Sequence, residues 1–364
     1  MSAQVRVLVA PRDENPYQEF LYEELAVAGA DVRFEQGPTR SQTLNVLLAP
    51  LMLVRCRLLG YRILHIHWVF QFSLPWARRS GPVRLVMQWW FWFYLWSAKA
   101  LGYRIVWTAH DLLPHDQVFF DDKKARRFLT GRTDAVIALS GATAKELARL
   151  GVAGVQVIPF GSYASPYPRT RGREEARAEL GLAPDDVAVL LIGKLERYKG
   201  ADLLLQAAAG LPSSCPVRVV LAGACTEGTY LAALRELARE AGPRAIVRLE
   251  RIPDEEMATY LDSADFAVFP FRAVTNSSSV LLAQSFGLPV LVPNLASLSD
   301  LPEETVLRYD PCENGLEQAL ERAAELSDQV REEMGRAAQA YADSMDWPTV
   351  ARLHMDLYEE LLGH

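Results

Sequence analysis

Between Glu35 and Asp111 the sequence has no aspartate or glutamate, although the chain as a whole is acidic, with 45 Asp and Glu against 38 Lys and Arg and a net charge of -7. That overall balance excludes a general nucleic-acid binder, which would carry a basic excess. Cysteine is scarce as well. The four present (Cys56, Cys215, Cys225, Cys312) are far apart and form no CxxC, which excludes a disulfide framework and a cysteine zinc site and fits reduced thiols in a cytosolic protein. No apolar run reaches the roughly 20 residues that a spanning helix needs. The opening MSAQVRVLVAP lacks the basic, apolar and cleavage segments of a signal peptide in series, so it is expected to be a first strand.

What is present is alternation. VRVLVAP (5–11), YRILHIHW (61–68), YRIVWTAHD (103–111), DAVIALS (134–140) and VQVIPFG (155–161) are short β-rich runs separated by helical stretches. A second series follows with DVAVLLIGK, PVRVVLAGA, AIVRLERI, DFAVFPF and LPVLVPN, and the segment GSYASPYPRTRGRE (161–174) between the series reads as a linker. Such alternation predicts two doubly wound parallel α/β domains, and a length of 364 residues suits two cores. The last stretch, DWPTVARLHMDLYEELLGH, reads as an amphipathic helix.

In open parallel sheets ligands gather at the carboxyl ends of the strands, so the loops there are the candidate sites. After AVLLI comes GKLERYKG (193–200): Gly193 permits close backbone approach, Lys194 and Lys199 are cationic, and a helix start follows, which together suit a diphosphate. In FPFRAVTNSSSVLLAQSFG, Arg272 precedes Asn276, Ser277, Ser278 and Ser279 at the start of an apolar helix, a pattern that serves either plain capping or phosphate and sugar oxygens. TAHDLLPHD places His110 and Asp111 beyond a strand end, where a general base or a hydrogen-bond donor is useful. Period-two geometry puts His65 and His67 on one strand face. With His110 and His115 they could gather round a metal, but no cysteine or tight ligand pair supports that, and no metal is expected.

The ordered set HIHW, TAHDLLPHD, IPFGSY, GKLERYKG and FPFRAVTNSSSVLLAQSFGLPV resembles the GT-B glycosyltransferases of the family 4 type (glycosyl transferases group 1), over nearly the whole chain. The resemblance implies two Rossmann-like domains facing across a cleft. Residues 1–165 would bind the acceptor and 166–346 a nucleotide-sugar donor, with the helix 347–364 packed back on the first domain. It implies no obligatory metal or cofactor beyond the donor. His110, Asp111, Lys194 and Lys199 would be catalytic. Gly193, Arg272, Asn276, Ser277, Ser278 and Ser279 would hold the donor, and Asn15, Tyr17, His67 and His115 would lie on the acceptor side. Three departures stand out: the family's acidic pair falls on Val274 and Leu282, its phosphate-binding arginine is Lys194, and the histidine of its IPHG is Phe160.

The acid-free region also holds VRLVMQWWFWFYLWSAKA (83–100), with four Trp, two Phe and a Tyr. Too short to span and aromatic on every side, this helix is expected to pack one face inward. Trp89, Trp90, Trp92 and Trp96 would turn toward an anionic membrane surface beside Arg78, Arg79 and Arg84. The expectation is a peripheral membrane enzyme at the inner face of the cell membrane. It would move a hexose from a nucleotide-diphosphate sugar to a glycolipid or saccharide acceptor in bacterial exopolysaccharide or glycoconjugate synthesis. A nucleotide-sugar epimerase on the same fold, and a non-catalytic sugar-nucleotide binder, stay open as alternatives.

Overall fold

The structure is a computed structural model that describes residues 4–13, 16–35, 39, 41–72, 74, 80–114, 117–163, 167, 169 and 171–363. The chain divides into two units, residues 1–161 with 347–364, and residues 162–346.

Aliphatic and β-branched runs form the strands of the first unit: β1 (Arg6–Ala10), β2 (Asp31–Phe34), β3 (Ile63–Ile66), β4 (Arg104–Ala109), β5 (Ala135–Ala138) and β6 (Val155–Val157). All pair in parallel in the order β2-β1-β3-β4-β5-β6. Helices α1 (Pro16–Val27), α2 (Gln42–Leu58), α3 (Gly81–Ala100), α4 (Asp122–Thr130) and α5 (Gly141–Arg149) connect them. Alternate strand residues point to opposite faces. Leu8, Leu64, Ile66, Ile105, Trp107 and Val136 meet Leu53 and Cys56 of α2 and Phe91, Tyr94 and Leu95 of α3 in one core. On the other face lie His65 and Thr108, against α1 and the chain's final helix.

The second unit repeats the plan with β7 (Val187–Ile192), β8 (Val217–Ala222), β9 (Ala245–Arg248), β10 (Phe266–Val268), β11 (Val290–Pro293) and β12 (Val306–Tyr309) in the order β12-β11-β10-β7-β8-β9. Every residue of β7 is buried, as a central strand covered on both faces requires. Val187, Val189 and Leu191 enter one core and Ala188, Leu190 and Ile192 the other. The helices are α6 (Arg173–Glu179), α7 (Ala201–Gly210), α8 (Gly228–Ala241), α9 (Asp254–Ser263), α10 (Ser278–Ser285), α11 (Gly315–Glu325) and α12 (Asp328–Asp343). Helix α13 (Trp347–Leu362) then returns to the first unit and packs on α1. Strand order reverses between β1 and β3 in one unit and between β7 and β10 in the other. At such switch points the connections leave to opposite faces and open a crevice at the carboxyl ends.

Candidate active site

The loop GKLERYKG leaves β7 at this switch point. Gly193 has φ 115°, a region closed to most side chains, and a Cβ placed there would lie 3.7 Å from the Lys199 ammonium, so the half-buried lysine lies against the bare backbone. Burial pulls the Lys199 pKa down, with Lys194 adding to the effect and Glu196 opposing it. Lys194 is exposed and pairs with Glu196 at 2.6 Å. Gly200 ends the loop with φ 70°, and a Cβ there would come within 2.1 Å of the Pro270 carbonyl oxygen. This close approach locks the β7 loop onto the β10 loop, as does the bond from Arg272 N to Tyr198 O at 2.8 Å.

The Arg272 side chain is held by partners on the neighbouring loop and helix. Its guanidinium makes a bidentate pair with Asp202 in the first turn of α7, at 2.9 and 2.6 Å, and donates to the Arg197 carbonyl at 2.7 Å. Asp202 also accepts from the Tyr230 hydroxyl at 2.6 Å. Burial alone would raise the Asp202 pKa, but bonds from Arg272 and Tyr230 hold it below the usual carboxylate value. Arg272 thus joins the two loops, and Asp202, which sequence reasoning overlooked, fixes it. Ser277 caps α10 by accepting from Val280 N at 3.4 Å, and Asn276, Ser278 and Ser279 stand around the same helix start. Val274 and Leu282, in the places of the family's acidic pair, are packed against the apolar core. A cavity of about 650 Å³ is lined in part by Arg272, but not by Lys194, Lys199 or Asn276 to Ser279.

In the first unit all four described histidines form one buried cluster. His65 and His67 stack at 4.2 Å, on one face as the strand period predicts. His67 Nδ1 meets His110 Nε2 at 3.0 Å, and Trp68 stacks on the His110 ring at 4.3 Å. The Tyr22 hydroxyl lies 3.0 Å from His65 Nδ1 and 2.5 Å from His67 Nε2. Tyr358 of α13 reaches His65 Nδ1 at 2.6 Å, and Thr108 reaches its Nε2 at 2.7 Å. Tyr17 sets its ring edge against His67, His110 and Phe160, so the residue in place of the family's IPHG histidine belongs to the same packing. Burial lowers the pKa of His110 to about 3 and that of His354 to about 4, and holds those of His65 and His67 well below the ordinary value. The imidazoles are neutral at pH 7. Asp111 is half-buried beyond β4. Asn15 and His115 lie outside the described residues, and among the described residues no group of three His, Cys, Asp or Glu could hold a metal ion.

The aromatic helix α3 divides its tryptophans. Trp89 and Trp96 are 61% and 59% exposed, whereas Trp90 and Trp92 turn inward, stacked on Tyr94 and Phe128. Two of the four rings expected to face outward are therefore half-buried and packed against the core. The exposed stripe is completed by Val86 and Phe93, at helical spacing. On α2, which packs beside α3, Leu44, Leu47, Leu51, Val54 and Leu58 form a second exposed stripe. Arg84 donates to Gln117 at 2.8 Å, while Arg78 and Arg79 lie outside the described residues. No helix among the described residues is long and apolar enough to cross a membrane.

Two six-stranded parallel sheets with these reversals define a two-domain GT-B fold. The chain belongs to the family 4 type of GT-B glycosyltransferases: residues 172–341 match the family "Glycosyl transferases group 1" and residues 86–161 match "Glycosyltransferase Family 4". It is 26% identical over 334 residues to a D-inositol 3-phosphate glycosyltransferase of Corynebacterium aurimucosum, covering 85% of this chain and 74% of that protein. The protein of the same name from Nocardia farcinica is 32% identical over 181 residues, 47% of this chain and 40% of its own length. In fold the chain is similar to sucrose-phosphate synthase of Thermosynechococcus elongatus (TM-score 0.74, 20% identity, 99% of this chain and 100% of that one). It is likewise similar to HepE of Anabaena, solved with UDP and glucose (TM-score 0.73, 16% identity, 98% and 100%).

Proposed function

We propose that this protein transfers a hexose from a nucleotide-diphosphate sugar to a saccharide or glycolipid acceptor. The observation that carries this reading is the locked pair of loops at the β7–β10 switch point. There Lys199 lies against bare backbone at Gly193, with Lys194 beside it and the hydroxyl-rich start of α10 following. The leaving diphosphate gains charge as the glycosidic bond breaks, and fixed cations near it stabilise the transition state more than the ground state. Two lysines supply that charge, so the reading requires no metal. Arg272 acts by holding the loops together, while Asn276 and Ser277 to Ser279 offer hydroxyls, an amide and the N–H groups of a helix start to phosphate or sugar oxygens. The structure of HepE with UDP and glucose supports a nucleotide-sugar donor.

On the acceptor side, a histidine with a pKa near 3 is a poor base at pH 7. His110 fits better as a neutral hydrogen-bond donor to the transferring sugar, with Tyr17 and His67 supporting it and Asp111 next to the acceptor hydroxyl. The membrane part of the reading rests on the two apolar stripes of α2 and α3 within a region free of acid. Such a surface suits the headgroup level of an anionic bilayer, and an acceptor carried on a lipid would place it at the inner face of the cell membrane, in exopolysaccharide or glycoconjugate synthesis.

Thermal stabilisation by UDP-, GDP- and dTDP-sugars tests the donor site, since a ligand at a hundredfold excess over its Kd adds about 2.7 kcal/mol to apparent stability. One nucleotide class should raise the Tm of the wild type and not of Lys199→Ala. Product analysis with that donor then separates transfer, which needs acceptor, from epimerisation, which does not. Binding without either product would overturn the catalytic reading.

A further inference from the structure

The cavity of about 650 Å³ that Arg272 lines in part lies within the second unit, between the carboxyl ends of β10 to β12 and the helices α7 and α11. It shares Arg272 with the loops assigned to the donor but neither of their lysines. Its volume suits a small organic molecule. Phe271, Tyr309 and Leu316 are buried and form its floor, half-buried Leu203 and Leu295 its walls, and exposed Cys312 and Glu313 its rim.

One polar group on the floor has nothing to bond. Tyr309 ends β12, is 8% exposed and belongs to the apolar core around α7 and α11. Its hydroxyl has no hydrogen-bond partner among the described residues. Nor is that oxygen sealed inside the core, so the small open part of the residue faces the cavity that it lines. Burial pushes the pKa of the phenol up, which keeps it neutral. Buried hydroxyls ordinarily find a partner, and here that partner has to come from the cavity.

The charge of the lining points to its kind. Arg272 is balanced by Asp202 at 2.6 Å, whereas Glu313 and Glu317 form no ion pair among the described residues. Glu317 stands in the first turn of α11, but its carboxylate reaches the last residue of α7, since a Cβ on Gly210 would lie 2.8 Å from Oε2. A helix start favours a carboxylate and a helix end opposes it, and the last turn of α7 has no basic residue to answer it. The two helix ends offset each other, and the two carboxylates stay uncompensated. Such a field disfavours phosphate. Among the described residues no group of three His, Cys, Asp or Glu could hold a metal ion, and the apolar floor and walls suit a carbon skeleton better than a bare cation.

We propose that this cavity binds an organic ammonium ligand, its apolar body on Phe271, Leu203 and Leu295, its charge met by Glu313 and Glu317, and one N–H accepted by the Tyr309 hydroxyl. The assignment does not rest on the reading of the donor site.

Benzylamine, benzyl alcohol and benzoate share one ring and differ in charge. Alkylation by iodoacetamide, read by mass spectrometry, reports occupancy at the rim through Cys312, with half-buried Cys215 as the internal reference. Benzylamine should slow the labelling of Cys312 and not of Cys215, at a concentration about tenfold below that needed of benzyl alcohol, and benzoate should have no effect. Tyr309→Phe keeps the ring and should weaken the protection about fivefold, and Glu317→Gln about tenfold. Glu313→Gln, on the exposed rim, serves as the charge test should either of the others lower the Tm. Benzylamine that leaves Cys312 labelling unchanged overturns the proposal. Equal protection by benzyl alcohol, or stronger protection by benzoate or glucose, overturns the cationic class, as does protection by benzylamine that persists in full in both glutamine variants.

Discussion

The two units share one architecture and differ in the residues that line it. All eight tryptophans and all six histidines belong to the first unit and none to the second. At the carboxyl ends of its central strands the first unit gathers buried, neutral rings. At the matching place the second gathers charge, with Lys194 and Lys199 in the loop and Arg272 clamped to Asp202. The same position in the fold thus carries different residue chemistry in each unit, and the proposed function assigns each a different task. In that proposal a neutral, desolvated wall would strengthen hydrogen bonds to sugar hydroxyls, and a charged, partly hydrated one would accommodate a diphosphate.

Acid should separate the two units most. The four buried histidines have folded pKa values below the unfolded value near 6.5, so below that pH the unfolded chain binds more protons and the first unit loses stability as pH falls toward about 4 and 3. Each such proton is worth about 1.4 kcal/mol per pH unit. Glu35 works the other way: burial raises its pKa to about 8, so its contribution to folding is full below about pH 4.5 and is lost as pH rises between about 4.5 and 8. Four groups outweigh one below pH 6.5, and Glu35 acts alone above it, which puts the first unit's greatest stability near pH 6.5. The second unit has no histidine. Asp202 and Glu227 are held below the usual carboxylate range, so their contribution is lost only below about pH 4. Tryptophan fluorescence reports the first unit alone, and in an acid titration it should change at higher pH than far-ultraviolet circular dichroism. Coincident transitions would break the comparison.

Lys199→Ala should lower kcat about a hundredfold, the equivalent of about 3 kcal/mol, with the Tm nearly unchanged. Lys194→Ala should act in the same direction. Near-normal turnover in both variants would move the donor site elsewhere, and a matching loss of donor binding in His110→Ala would blur the division between the units. A smaller effect is expected at Gly200, where an alanine meets both a left-handed backbone and the Pro270 carbonyl. Gly200→Ala should cost about 2 kcal/mol, read as a lower melting temperature in circular dichroism with the fluorescence transition of the first unit unmoved.

Ten of the twelve strands were legible as aliphatic runs. The two that were not, β2 and β12, are edge strands of four residues, DVRF and VLRY, each with an arginine in the run and little apolar signal. The loops at the switch points were legible because each is continuous in sequence. Their partners were not: Asp202 is 70 residues from Arg272, and Tyr358 is 293 from His65, distances over which no local pattern reports. The division between exposed Trp89 and Trp96 and half-buried Trp90 and Trp92 was not legible, because a helix aromatic on every side has no sequence-visible face. The leucine stripe of α2 did carry a helical spacing, which the aromatic density of α3 overshadowed.

The weakest expected effect concerns that stripe. Arg55 is exposed on α2 beside Val54, in the acid-free region, and makes contact with the membrane surface only if the two apolar stripes face lipid. One basic residue near an anionic surface contributes about 1 kcal/mol, roughly a fivefold change in binding. Arg55→Gln should therefore weaken sedimentation with anionic vesicles about fivefold, have no effect with neutral ones, and lose its effect at high salt, where screening shortens to roughly 3 Å at 1 M. Replacing Trp89 and Trp96 by Gln should remove the salt-resistant part of the binding and leave the Tm in place, because both rings are outside the core. Trp92→Ala, by contrast, should lower the Tm, since it takes a ring from the stack on Phe128. Equal and negligible binding of the wild type to both vesicle types would remove the membrane from the account and leave the chemistry of the two crevices as it stands.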